Sequence, residues 1–135
     1  MIQEFDDRNK DIKVWINGEL LHRDKAKVSV FDSIVQGGDG VWEGIRVYDS
    51  RVFCLDKHLK RLMESAKSMD IENIPSVEKI KTAIFATLKE NGMRKDTHIR
   101  LTLHQKLRKF FFILKSGDNT FRLVKNCNRF VVAWN

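Results

Sequence analysis

The 135 residues make one domain's worth of chain, long enough to bury about two thirds of its unfolded surface around a single core. Its two cysteines, Cys54 and Cys127, stand far apart with no metal-type neighbours, which excludes a disulfide scaffold or cysteine metal site and reads as two buried, reduced thiols. The net charge of +7 is uneven: residues 1–103 hold 18 Lys+Arg against 17 Asp+Glu, and residues 104–135 hold 7 against the single Asp118.

Residues 1–12 are polar and read as a disordered N-terminus. The acidic start MIQEFDDRNKDIKV lacks a signal-type apolar core, and no run approaches the ~18 apolar residues of a membrane span, so the expectation is a cytoplasmic protein with no membrane partner. Val14-Trp15-Ile16, then Asn17-Gly18, then Glu19-Leu20-Leu21 predicts a β-hairpin, because Asn-Gly suits a type I′ turn. Residues 27–31 follow as a short extended segment. Residues 32–40 form a glycine-bearing connection, with one helical turn expected at 32–35.

Within that connection Gly37, Gly38 and Gly40 surround Asp39, a backbone shaped for close approach to a ligand or another chain. Val41, Glu43, Ile45 and Val47 then alternate with Trp42, Gly44, Arg46 and Tyr48. That period of two predicts a strand with a partly aliphatic face and a face of Trp, Arg and Tyr, the second being the chemically useful one. Asp49-Ser50 turns the chain into a second strand over residues 51–55, and Asp56 is expected to cap a helix over 56–69 with Leu59, Leu62, Met63 and Ala66 on one side.

Ser76 caps a second predicted helix, 76–91, whose apolar stripe is Val77, Ile80, Ala83, Ile84, Phe85 and Leu88 and whose stop is Gly92. HIRLTL, residues 98–103, alternates like a half-buried strand and sets Arg100 on its polar face. The fold class is therefore α+β: an antiparallel sheet from the two hairpins and HIRLTL, with two helices packed on one face. Beyond residue 103 the segments 110–114, 120–124 and 130–134 can each be strands. The change in charge and the run FFFIL divide the chain into 13–103 and a basic, aromatic-containing tail, 104–135. Basic residues interleaved with aromatics also suit nucleic acid, but ordinary solvated charge is the stronger reading.

No phosphate loop, nucleotide fingerprint, His/Cys metal cluster or nucleophile elbow occurs. What remains is a set of cations, Arg46, His58, Arg61 and Arg100, of which the arginines have the planar fork that suits phosphate and carboxylate. AKVSVFDSIVQGGDGVWEGIRVY, DKHLKRL and THIRLTL, in this order and spacing, resemble the N-terminal small domain of class IV, fold-type IV pyridoxal-phosphate enzymes, the branched-chain and D-amino-acid aminotransferases and aminodeoxychorismate lyase.

The resemblance implies pyridoxal 5'-phosphate as cofactor, held at its phosphate by Arg61 of HLKRL, and a substrate pocket lined by Trp42, Gly44, Arg46 and Arg100. It implies amino acids and 2-oxo acids as substrates, and a homo-oligomer or pairing with a full-length subunit as the assembly. GDGVWE resembles the D-amino-acid branch, and GIR-x-Y the branched-chain branch. No catalytic residue is assigned: the family's Schiff-base lysine lies in a larger domain beyond the I-R strand, and Lys106, Lys109, Lys115 and Lys125 stand in no matching context. The expectation is a truncated form, inactive alone.

Overall fold

The computed structural model describes residues 6–105 and, as backbone, 128–134. A 3₁₀ turn at Asp7–Asn9 leads into the hairpin β1 (Lys13–Ile16) and β2 (Glu19–His22). The short helix α1 (Ser33–Gln36) precedes β3 (Gly40–Tyr48), β4 (Arg51–Val52), α2 (Leu55–Ser68), α3 (Val77–Glu90), β5 (Thr97–Gln105) and β6 (Asn128–Trp134). The strands form one antiparallel sheet in the order β2-β1-β6-β5-β3-β4. This is the expected α+β arrangement with one addition: β6 enters between β1 and β5, pairing with Ile99 to Gln105 on one side and Trp15 and Ile16 on the other. The other two strand candidates of the basic stretch, at 110–114 and 120–124, lie outside the described residues.

Local chemistry explains the turns. Asn17 and Gly18 both have positive φ, 53° and 109°, as a type I′ hairpin requires, and Asp49 and Ser50 repeat this at 43° and 65°. Helix α3 is capped at Ser76, whose hydroxyl accepts from the Lys79 N–H, and ends at Asn91 with Gly92 at φ 61°. The Asn91 side chain then works as a surrogate strand, accepting from the Lys13 N–H at 2.7 Å and donating to the Lys13 carbonyl at 2.9 Å.

Both longer helices lie against one face of the sheet. Ile45 and Val47 of β3, Ile99, Leu101 and Leu103 of β5, and Trp15 of β1 meet Leu59, Leu62 and Ala66 of α2 and Ile80, Ala83, Ile84 and Leu88 of α3. Each fully buried aliphatic side chain stabilises the fold by about 2 kcal/mol relative to exposure. Lys81 of α3 reaches Asp56 of α2 at 2.9 Å, tying the helices together at their rim. Among the described residues no helix is long and apolar enough to cross a membrane.

Several local expectations are corrected. Asp56 does not cap α2: the helix starts a residue earlier, its N-cap is Cys54 in the left-handed region at φ 47°, and Asp56 sits inside the first turn. Cys54 is exposed rather than buried, because that corner turns it outward, while Cys127 lies outside the described residues. Phe85 is 51% exposed, since it stands about 100° around the helix from the buried Ile84. Residues 27–31 form no strand, and the strand expected over 51–55 stops at Val52, where the chain turns into α2.

Candidate functional site

The period of two in β3 sorts its side chains as expected. Ile45 and Val47 go inward, and Trp42, Arg46 and Tyr48 are exposed on the opposite face. β5 is paired so that Gly44 opposes Arg100, Arg46 opposes His98 and Trp42 opposes Thr102. The four residues expected to line a substrate pocket, Trp42, Gly44, Arg46 and Arg100, are thus neighbours on the face opposite the two longer helices. Arg100 places its Cζ 3.6 Å from the centroid of the Trp42 ring, a cation–π contact.

Gly44 is required by close approach. A Cβ there would lie 2.7 Å from His98 Nε2, so the imidazole covers the glycine. Burial pushes the His98 pKa down from its ordinary 6.5, and the positive charges of Arg46 and then Arg100 push it further, favouring a neutral ring between two guanidinium groups. His98 was not among the residues singled out from the sequence. Its signal was its period-two alignment with Arg100.

Glu43 was also missed, although its position gave a signal: a carboxylate in phase with Ile45 and Val47 must be buried or paired. It is 4% exposed. From α2, Arg61 donates through Nε to Oε1 at 2.6 Å and through Nη2 to Oε2 at 2.5 Å, and His58 Nδ1 lies 2.8 Å from Oε2. His58 and Arg61 are three residues apart, so both project from one side of the helix toward the strand. Burial opposes ionisation of Glu43, but the hydrogen bonds from Arg61 and then His58 outweigh it and hold its carboxyl below the usual range. Glu43 in turn raises the Arg61 pKa, so the fork is permanently charged. Arg61 therefore stands on the helix side of the sheet, apart from the Trp42–Arg100 face, with its side chain 66% exposed.

The glycine loop is latched to the end of β5. Asp32 caps α1 by accepting from the Ile34 N–H, and Ser33 Oγ donates to the Gln105 carbonyl. Buried His104 brings Nδ1 to 3.0 Å from Asp32 Oδ1 without the geometry of a hydrogen bond. Gly40 lets the loop come this close: a Cβ there would meet Ile34 Cδ1 at 2.9 Å and His104 Cβ at 3.1 Å.

Chemically, the described residues offer one outward arginine fork fit for a phosphate monoester, and a separate cationic and aromatic face fit for a carboxylate. The strands β3, β5 and β6 carry no lysine. Among the described residues no group of three or more His, Cys, Asp or Glu could hold a metal ion.

The family model for amino-transferase class IV matches residues 40–129. The chain is 54% identical over 95 residues to "branched-chain-amino-acid aminotransferase-like protein 1" of Arabidopsis thaliana, covering 70% of this chain and 17% of that protein. It is 36% identical over 81 residues to D-alanine aminotransferase of Staphylococcus epidermidis, covering 60% and 29%. In three dimensions it is similar to the crystal structure of a branched-chain aminotransferase from Thermoproteus uzoniensis with norvaline, with TM-score 0.74 and 28% identity over 93% of this chain and 40% of that one. The chain thus spans less than a third of the length of these curated relatives.

Proposed function

The chain belongs to the class IV aminotransferase family, and from this we propose that its residues form the non-covalent half of a pyridoxal-phosphate site acting on an amino acid and its 2-oxo acid. The observation that carries this reading is the division of cations by the sheet: Arg61 forked and exposed on the helix side, Arg46 and Arg100 around Gly44 on the other. In this reading Arg61 holds the cofactor phosphate, and Trp42, Gly44, Arg46 and Arg100 receive the substrate. Arg100 is the group for a substrate carboxylate, and neutral His98 beside it can donate or accept one hydrogen bond without adding charge. When bound, pyridoxal phosphate supplies the electron sink that lets a proton leave the amino-acid Cα. The residues of this chain bind and orient; none is assigned the proton transfer.

A single arginine fork is worth about 1.5–3 kcal/mol as a charged hydrogen bond, too little for tight binding. The same reading therefore holds that these 135 residues do not transaminate by themselves. Treating the chain with pyridoxal phosphate and borohydride, then digesting it, tests this. Scattered, substoichiometric lysine labelling without turnover is expected. One specifically labelled lysine together with turnover of a branched-chain or D-amino acid would overturn it.

A second reading is supported by the exposed apolar run ahead of the glycine loop, Val28, Val30, Phe31 and Val35, with Phe31 73% exposed. Here the chain pairs with a full-length subunit, or with itself, through this stretch and residues 35–40. Light scattering of the purified chain, alone and mixed with a full-length class IV aminotransferase, separates the two readings: an unchanged monomer mass rejects pairing. The cytosol is the compartment proposed for either, supported by the free thiol of Cys54.

A further inference from the structure

Arg61 has five N–H donors, and its bonding to Glu43 uses only the edge formed by Nε and one hydrogen of Nη2. His58 Nδ1 lies 3.4 Å from Nη2 as well as 2.8 Å from Glu43. Because the ionised carboxylate only accepts, Nδ1 carries the proton and donates to Glu43, so the ring takes nothing from Arg61. Both Nη1 hydrogens and the second Nη2 hydrogen then remain, without a partner among the described residues, on the edge that points away from the carboxylate.

Glu43 is 4% exposed and Arg61 is 66% exposed, so the carboxylate is the fixed member of the pair and the guanidinium is the rim. Two parallel bonds also fix the plane of the guanidinium, whereas one bond would let it swing about a single axis.

We propose that Glu43 is a positioning residue: from inside the sheet it orients the outward edge of Arg61 to receive a phosphate monoester, and His58 keeps the buried carboxylate satisfied while Arg61 is shared with that anion. This rests on the reading of Arg61 as the phosphate anchor given above. A negative charge beside an anion site would ordinarily weaken it. The effect of removing Glu43 therefore has opposite signs under the two views. If Glu43 merely neutralises Arg61, its loss tightens anion binding. If it sets the geometry, its loss leaves a long side chain to be ordered at the moment of binding, and affinity falls by about fivefold.

The experiment titrates the purified chain with pyridoxamine 5'-phosphate, which forms no imine with lysines, and with pyridoxamine and inorganic phosphate as arms that separate ring from phosphate. Wild type, E43Q, E43D and R61K are compared, with circular dichroism confirming that each is folded. The expected result is phosphate-dependent binding that R61K largely abolishes and E43Q weakens about fivefold, with E43D, one methylene shorter, weakened as well. Binding that R61K leaves unchanged sinks the reading of Arg61 and this inference with it. Binding that R61K abolishes but E43Q leaves unchanged or tightens sinks this inference alone.

A measurement on the wild type needs no variant. In the side-chain ¹⁵N spectrum, the Arg61 Nε–H resonance stays in its hydrogen-bonded position while the Nη resonances move as phosphate is added. Loss of the Nε hydrogen bond on titration would show the guanidinium leaving Glu43 to bind the anion, and would overturn the proposal.

Discussion

Arg100 reaches diagonally across two paired strands to set its Cζ 3.6 Å from the centre of the Trp42 ring, although the residue directly opposite Trp42 is Thr102. The contact holds a cation over an exposed aromatic surface, on the face proposed above to receive a substrate carboxylate. Trp42→Leu should cost about 0.5–1 kcal/mol of stability, the scale of an exposed cation–π pair. A double-mutant cycle with Arg100→Met, read by urea unfolding, should return a coupling of that size; a coupling near zero would mean the two side chains do not sense each other in solution.

Glu43 offers a sharper stability test, because a buried carboxylate is tolerable only while it is paired. Arg61→Ala leaves it with His58 alone and should lower the urea midpoint. Adding Glu43→Leu in that background should regain about 1–3 kcal/mol, the penalty of an unsatisfied buried polar group, so the double variant ends up more stable than the single one. Additive losses would show that the carboxylate is not penalised for losing its fork.

The two close-approach glycines should differ in cost. At Gly44 the obstacle is the tip of an imidazole, so Gly44→Ala should cost about 1 kcal/mol or less while displacing the His98 ring, visible in its NMR shifts. At Gly40 the new methyl meets Ile34 Cδ1 at 2.9 Å and the Leu103 carbonyl oxygen at 3.3 Å, and backbone cannot swing aside. Gly40→Ala should cost about 1–3 kcal/mol by overpacking. Equal melting temperatures for the two variants would contradict this ordering.

His98 gives a pH dependence with a definite sign. Its folded pKa is pushed below 6.5, so its neutral form is the stabilising one: that contribution is fully present above 6.5 and is lost as the pH falls below it. The slope from this one proton is at most about 1.4 kcal/mol per pH unit. Stability curves of wild type and His98→Gln should run parallel above that value and converge as the solution is acidified. Glu43, held below its ordinary 4.5, loses its contribution in a separate and more acidic window. Curves that stay parallel down to pH 5 would remove His98 from the account.

What could be read from the sequence was what is local. Asn17-Gly18 and Asp49-Ser50 announced their hairpins because the turn geometry is carried by two adjacent residues. The alternation from Val41 to Tyr48 gave the correct faces because side-chain direction in a strand has a fixed period. The same alternation contained the information that Glu43 points inward, but its partners, His58 and Arg61, are 15 and 18 residues away and became visible only once α2 was docked on β3. The left-handed Cys54 that starts α2 early has no compositional signal, since a cysteine is an unusual residue to find there. The place of β6 was the least legible, because nothing within Asn128–Trp134 states which strands it will separate.

That place bears on the order in which the fold can be completed. β6 is joined to β1 and β5, so the sheet lacks an inner strand until residues 128–134 have left the ribosome. Before then β3, β4 and β5 can assemble with α2 and α3, while the β1–β2 hairpin is held from the helix side, by Trp15 in the core and by the bonds between Asn91 and Lys13. Two pairing edges, one on β1 and one on β5, stay open for the length of that wait. Joining residues 15 and 132 is a long-range closure of the kind that slows folding and leaves bare edges able to recruit another chain. The nascent protein is consequently most exposed to misassembly between the emergence of β5 and that of β6, and dependence on chaperones should be concentrated in that interval.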